Sequence, residues 1–303
     1  MNIVFTLAGK SKRFKSEGYE KPKFLLKIGV KTILEKIIEM FSDEDFFYFI
    51  FNKEDISKYP EINNLIKVRI KNFEILAIDS HEKGPAYSAL QIKNIEPSEP
   101  VIISYCDFLV EWNYRLFLSN LGEYDMIIPS FIGTHPSSFG VTNYAYTKLN
   151  DNNELIELKE KQSFTNQRHA EYANTGIYYF KSYDLFVRYT LDLIKNDLKP
   201  EEEAYISLIS NKIVQNKGTV LITKVKKFIC LGTPFDYNMF RFWNDYFHKD
   251  IRESNENTLT DINIIPMAGK GSRFKEKSYN SIKAMIQIEN ESMFIKTTKS
   301  FPK

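Results

Sequence analysis

Cysteine is scarce in this 303-residue chain: there are two, Cys106 and Cys230, both set in apolar runs. That excludes a disulfide-stapled scaffold and leaves two buried thiols as the expectation. A dominant charge is also missing. Lys and Arg number 41 against 39 Asp and Glu, a net charge of +2, which points to neither a nucleic acid nor a membrane surface. No apolar run approaches the roughly 20 residues that span a bilayer. The apolar start, Met1 to Leu7, passes at once into a Gly-, Lys- and Arg-rich segment, unlike a signal peptide. A cytoplasmic location follows as the expectation. What is present is 43% hydrophobic and 26% charged, an ordinary globular composition that suits one large α/β domain or two modest ones.

An internal repeat is the first positive feature. Asn2-Ile-Val-Phe-Thr-Leu-Ala-Gly-Lys-Ser-Lys-Arg-Phe-Lys15 matches Ile262-Asn-Ile-Ile-Pro-Met-Ala-Gly-Lys-Gly-Ser-Arg-Phe-Lys275 at a constant offset of 260, as between Ala8 and Ala268. The register persists without a gap through Tyr19/Tyr279, Lys23/Lys283, Ile28/Ile288 and Lys36/Lys296. A doubly wound sheet cannot close on one strand and one helix, because its apolar faces would stay in water. The reading is therefore a full domain over 1–247, a polar linker over 248–261, and the truncated start of a second such domain over 262–303.

Within the first copy strands and helices alternate. Ile3–Leu7 reads as a buried strand, Thr32–Phe41 as a helix, and Phe46–Phe51, Phe73–Ile78 and Val101–Tyr105 as strands, with a helix opening at Gly84–Ile92. Strands then dominate at Met126–Pro129, Tyr144–Leu149, Leu155–Leu158 and Gly176–Phe180. Helices follow at Tyr183–Ile194 and Glu202–Val214, then a last β pair, Thr219–Val225 with Lys227–Leu231, and a helix from Pro234 to about Phe247. This predicts an α/β fold: a Rossmann-like, mixed, mostly parallel sheet flanked by helices, with a β-rich later portion.

The loop after the first strand carries the strongest chemical signal. Ala8, Gly9 and Ser11 are small, so backbone N–H groups there can approach phosphate oxygens. Lys10, Lys12, Arg13 and Lys15 add positive charge, and Lys23 follows in Lys21-Pro-Lys-Phe-Leu-Leu26. Joining a triphosphate to a phosphate acceptor needs fixed cations and a divalent metal. The basic residues alone read better as a solvated loop; the loop with its downstream Pro-Lys, repeated at the offset of 260, favours the phosphate reading.

Leu-Ala-Gly-x-x-x-Arg-Phe followed by Lys-Pro-Lys-x-Leu-Leu-x-Ile-Gly resembles the sugar-phosphate nucleotidylyltransferases, from Asn2 to about Phe240. The resemblance implies a GT-A-like fold that joins an NTP to a sugar phosphate and releases pyrophosphate. It implies that Leu7, Ala8, Gly9, Lys10, Ser11 and Lys12 bind nucleotide with Gly84 and Pro85. Arg13 would hold the leaving pyrophosphate and Lys23 the α-phosphate. Gly140, Glu160, Lys161, Asn174 and Thr175 would bind the acceptor, and Asp107 would hold Mg²⁺, with Asp236 as a helper. Read without the family, Gly84-Pro85 is equally a helix N-terminus, Asp107 a turn residue, and Glu160-Lys161 a solvated strand end.

Two departures stand out. The family's phosphate loop has a second Gly where this chain has Ser11, which can serve if its φ is negative; the second copy keeps Gly271. Cys230 stands where the family places a second metal-binding Asp, and a neutral thiol is a poor Mg²⁺ ligand. The expected reaction is nucleotidyl transfer from an NTP, leaning to CTP or another pyrimidine NTP, onto a sugar or polyol phosphate, in the supply of surface-polysaccharide precursors. The expected partners are those two small molecules, with no nucleic acid, no membrane and a homo-oligomer left open. The alternatives are a GT-A-fold glycosyltransferase, against which Tyr105-Cys106-Asp107 lacks an Asp-x-Asp motif, and a nucleotide-binding domain without turnover.

Overall fold

The computed structural model describes residues 1–133, 135, 143–199, 201–248, 264–269, 271–275 and 281–301. Gly140 and all but His248 of the expected linker lie outside the described residues. The chain divides into two units, Met1–Asp245 and Tyr246–Lys303.

Ten strands of the first unit form one sheet: β1 (Asn2–Thr6), β2 (Phe46–Asn52), β3 (Phe73–Ile78), β4 (Val101–Ser104), β5 (Met126–Phe131), β6 (Tyr146–Leu149), β7 (Leu155–Lys159), β8 (Tyr172–Asn174), β9 (Ile177–Phe180) and β10 (Val220–Lys224). Their spatial order is β7-β6-β8-β5-β9-β4-β1-β2-β3, with β10 pairing β5 off that path. The run β4-β1-β2-β3 is parallel. From β9 onward the neighbours are antiparallel, except that β10 runs parallel to β5. The expected α/β class holds, with a parallel core and a β-rich later side.

The sequence of β1 explains why it sits at the centre. Ile3, Val4 and Phe5 are all fully buried, so both faces of the strand are covered, as in parallel sheets flanked by helices. Alternate side chains enter two different cores. Ile3, Phe5 and Leu7 join Ile33, Ile37, Phe47, Phe49 and Phe51; Val4 joins Tyr48, Ile50, Val101 and Ile103. Each such side chain contributes about 1.5–3 kcal/mol on burial. The rings of Phe5, Phe47, Phe49 and Phe51 stack with centroids 5.5–6.2 Å apart.

Helix α1 (Ile33–Ile38) starts at a capping box, Thr32 with Glu35. It is shorter than expected because its end tightens: Met40 N donates to Ile37 O and Phe41 N to Ile38 O, which turns Phe41 onto Phe5. Helices α2 (Pro85–Ala89), α3 (Tyr183–Asn196), α4 (Ile206–Gln215) and α5 (Pro234–His248) follow. The fourth begins later than the sequence suggests, because Ala204 is held outside it by Lys83 and Ala86. Short helices at Lys53–Lys58 and Tyr114–Ser119 were not expected; Asn52 and Asn113 cap them. The expected last β pair is corrected. Its first member, β10, lies along β5, and its second, Lys227–Cys230, pairs with Phe108–Glu111. Period-two alternation says which face a residue takes, not which strand it joins.

In the second unit, a 3₁₀ turn Lys283–Met285, a hairpin Gln287–Ile288/Glu291–Ser292 and a helix Met293–Lys299 occur in sequence. Lys23–Leu25, Lys27–Ile28/Lys31–Thr32 and α1 stand at the same offset of 260 in the first unit. Ile33 N donates to Leu26 O at 2.9 Å, and Met293 N to Ile286 O at 2.9 Å. Among the described residues no helix is long and apolar enough to cross a membrane.

Candidate active site

From β1 the chain steps outward to β2 and β3, then returns to the other side of β1 as β4. Between β1 and β4 the connections therefore diverge at the carboxyl ends of the strands, leaving a crevice. A cleft of about 740 Å³ opens there. Every described candidate residue lines it: Leu7 to Arg13, Lys23, Gly84, Pro85, Asp107, Glu160, Lys161, Asn174, Thr175 and Asp236.

The loop after β1 forms the floor. The space where a side chain would stand on Gly9 is open, so bare backbone faces the cleft. Ser11 sits at φ 49°, ψ 36°. The condition for an unstrained serine, a negative φ, is not met; Gly271 adopts φ 60° at the matching position. The Ser11 hydroxyl compensates in part by accepting Lys23 N–H at 3.4 Å.

Lys23 Nζ lies 3.1 Å from Asp107 Oδ2. Burial alone would lower the ammonium's pKa, but the Asp107 charge, with smaller help from Cys106 and Cys230, carries it above the ordinary lysine value. Lys10 and Lys12 both meet one carboxylate, Glu82 Oε1, at 3.3 and 2.5 Å. Arg13 lines the cleft and is exposed.

Gly84 has φ +89°, and a Cβ there would meet Ala204 N at 2.6 Å. The glycine is thus demanded by the packing of residues 203–205 on this loop. Next to it, His81 Nδ1 accepts Lys83 N–H at 3.2 Å while Nε2 lies 3.0 Å from Ser88 Oγ, which fixes the Nε2–H tautomer. Burial, then the Lys83 and Lys10 charges, lower the imidazole's pKa, so the ring is neutral.

On the opposite wall Asn174 is buried, its Oδ1 accepting from Ser130 Oγ at 3.4 Å, with its side chain beside Tyr178. Glu160 Oε2 accepts from Ser207 Oγ at 2.5 Å; burial holds the carboxyl above the usual range despite that bond. Lys161 Nζ donates to Tyr205 OH at 2.6 Å. Thr175 donates its hydroxyl to Pro129 O at 2.7 Å, a bond that closes the β8–β9 turn.

For a divalent metal, the donor set is sparse. Asp236 Oδ2 accepts from Thr233 Oγ1 at 2.6 Å and from Cys230 Sγ at 3.4 Å. Burial pushes the Cys230 thiol up to about 12, so it is a neutral donor. Among the described residues no three His, Cys, Asp or Glu stand close enough to hold an ion. Asp107, 38% exposed, offers a carboxylate to the cleft at the end of its strand, which fits a divalent ion held by one or two carboxylates with substrate phosphates.

No family model matches the chain. Bifunctional protein GlmU of Methanococcus maripaludis is 24% identical over 278 residues, covering 89% of this chain and 57% of that protein. The chain thus spans little more than half the length of the curated relatives it matches. A nucleoside-diphosphate-sugar pyrophosphorylase from Vibrio cholerae superposes with a TM-score of 0.65 at 18% identity, over 79% of this chain and 99% of that one. The chain is thus similar in sequence to GlmU and shares the fold of the pyrophosphorylase. The inositol-1-phosphate CTP transferase of T. maritima shares the fold, with a TM-score of 0.60 at 13% identity over 80% of this chain and 96% of that one.

Several residues of this cleft received no role from the sequence. Glu82, His81, Tyr105, Tyr178 and Ser207 all stand in or behind its walls. Glu82 stands two residues before Gly84, but nothing local places it beside the basic loop some 70 residues earlier. Ser207 gave none, because its partner lies 47 residues away.

Proposed function

We propose that this chain transfers a nucleotidyl group from an NTP to a sugar phosphate or polyol phosphate and releases pyrophosphate. The observation that carries the reading is convergence. One switch-point cleft gathers the open Gly9 backbone, the Lys23–Asp107 pair, three further cations of the basic loop, and the Asn174–Glu160 wall. An acceptor phosphate oxygen forms the new bond to the α-phosphorus while the α–β bridging oxygen leaves with pyrophosphate. Catalysis is then positioning and charge neutralisation. Lys23 exchanges Asp107 for the α-phosphate, and Arg13 meets the pyrophosphate. Lys10 and Lys12 exchange Glu82 for the β- and γ-phosphates. Asn174, Glu160 and Lys161 orient the acceptor. Thr175 is left out, its hydroxyl being committed to Pro129. Asp107 would hold a divalent ion such as Mg²⁺, whose charge neutralises phosphate oxygens; Asp236, engaged by Thr233, closes the turn beside it.

A pyrimidine nucleotide is the favoured donor, a reading supported by the fold shared with an inositol-1-phosphate CTP transferase. We further propose that 262–303 opens a second unit of the same kind, with 248–261 as linker. The constant offset of 260 in elements and hydrogen bonds supports this. Apolar positions there are exposed where their counterparts are core: Ile264 80% against Val4 0%, Met285 51% against Leu25 5%. The test is a pyrophosphate-release screen of each NTP against sugar, polyol and amino-alcohol phosphates with Mg²⁺. One pair giving stoichiometric pyrophosphate is expected; silence from every pair refutes the reading.

A further inference from the structure

The acceptor-side carboxylate is not held by its own strand. Glu160 follows the end of β7, which is the edge of the sheet, and the next residue, Lys161, sits at φ 56°. An edge strand followed by a left-handed turn leaves a side chain with little local guidance. Helix α4 supplies it. Ser207 and Asn211, one turn apart on the same helix face, both grip this end of β7. Asn211 Oδ1 accepts Leu158 N–H at 2.8 Å and its Nδ2 donates to Leu158 O at 2.9 Å, so a side-chain amide stands in for a neighbouring strand. Ser207, 1% exposed, then donates its hydroxyl to Glu160 Oε2 at 2.5 Å. With Oε2 taken, the carboxylate is fixed in the wall of the cleft.

The same stretch of chain reaches the nucleotide side. Ala204 N donates to Lys83 O at 2.9 Å, and Ala86 N donates to Ala204 O at 3.0 Å. The Ala204 backbone fills the space beside Gly84. Only two residues, Tyr205 and Ile206, therefore separate the contact with the Gly84 loop from the contact with Glu160.

We propose that Ser207 is a positioning residue for the acceptor, acting through Glu160; this rests on the nucleotidyl-transfer reading above. Losing a hydrogen bond to a charged, buried partner is expected to raise acceptor KM about tenfold. The NTP KM should stay within about twofold, since Lys83 and Ala86 meet backbone atoms that the substitution keeps.

The experiment uses the full chain and the NTP–acceptor pair found by pyrophosphate release. It measures KM for each substrate in the parent, Ser207→Ala, Glu160→Gln and the double variant, with melting midpoints as a control on folding. Ser207→Cys, near in size with a weaker S–H donor, gives a graded second variant if the alanine variant does not fold. The expected result is a raised acceptor KM, an unchanged NTP KM, an intermediate value for cysteine, and no further loss when Ser207→Ala is added to Glu160→Gln. An unchanged acceptor KM, an equal rise in both constants, or a full additional loss in the double variant overturns the proposal while leaving nucleotidyl transfer intact. A parent chain with no turnover for any pair overturns both.

Discussion

Ser11 offers a test of the loop after β1 that needs no substrate. At φ 49°, ψ 36° it occupies the left-handed region, which costs an L-residue about 1–2 kcal/mol. Glycine would remove that strain but lose about 0.5–1 kcal/mol through the entropy of the unfolded chain. The serine hydroxyl returns little: its bond from Lys23 N is 3.4 Å long, at the weak end of the range, roughly 0.5 kcal/mol. Ser11→Gly should therefore lie between slightly destabilising and stabilising by about 1 kcal/mol. Ser11→Ala keeps the strain and loses the hydroxyl, so it should cost roughly 0.5 kcal/mol.

The discriminating quantity is glycine against alanine at this one position. In an ordinary helix position alanine wins by about 1 kcal/mol. Here glycine should win by about 1 kcal/mol, a difference of about 2–4 °C in melting midpoint for a unit of this size. Parallel thermal melts of the three proteins in one buffer read it directly. A melt in which the alanine variant matches or exceeds the glycine variant would show that Ser11 is not held left-handed. The parallel with Gly271, φ 60°, would then fail as well.

Three further outcomes are expected. Lys23→Ala should lower kcat by about 10²–10³, the usual loss when one stabiliser of developing charge is removed; steady-state pyrophosphate release checks it, and parental turnover refutes the assignment. Gly84→Ala places a Cβ 2.6 Å from Ala204 N at φ +89° and should cost roughly 2 kcal/mol or more, read as a lowered denaturant midpoint. Burial works to raise the Glu35 carboxyl, but the Thr32 backbone N–H, the Arg69 guanidinium and the Thr32 hydroxyl outweigh it and hold it below its ordinary value. Its stabilising contribution is therefore present above the unfolded value of 4.5 and is lost as pH falls through the lower folded value. Glu35→Gln should be less stable than the parent at neutral pH and converge with it in acid, as denaturation at several pH values would show.

The parallel core was readable because its signals are local. Ile3-Val4-Phe5 and Phe46 to Phe51 are continuous apolar runs bounded by turns, and such runs have few other homes. Asp107 was readable because a strand's apolar run ends just before it. Pairing was not readable: nothing in Lys227–Cys230 says that it joins Phe108–Glu111 rather than β10. Nor was the state of the cations. Lys10 and Lys12 read as free charges until the fold brings Glu82, some 70 residues away, beside them. Gly84 was read as a nucleotide contact or a helix N-terminus; it does cap α2, but the constraint on it was not legible. The backbone of Ala204, which no local pattern connects to it, occupies the space where its Cβ would stand.

The two copies of the loop separate what the local sequence builds from what the sheet adds. Lys23 and Lys283 occupy the same place in the same turn, yet Lys23 Nζ pairs with Asp107 whereas Lys283 Nζ lies 5.4 Å from the centre of the Phe274 ring. The backbone of the turn is thus independent of the lysine's partner, and the partner is delivered by the loop after β4, far along the chain. The backbone of the turn therefore does not need Asp107, although the Lys23 charge does, since burial alone would lower its pKa. With Lys23 18% and Asp107 38% exposed, breaking the pair should cost roughly 1–3 kcal/mol, between the values for exposed and buried pairs. Asp107→Asn should accordingly lower the melting midpoint by up to roughly 10 °C, at about 2–4 °C per kcal/mol, leave a folded chain and, on the nucleotidyl-transfer reading, abolish turnover. A variant that unfolds would place Asp107 among the structural residues, and one that turns over normally would remove it from the site.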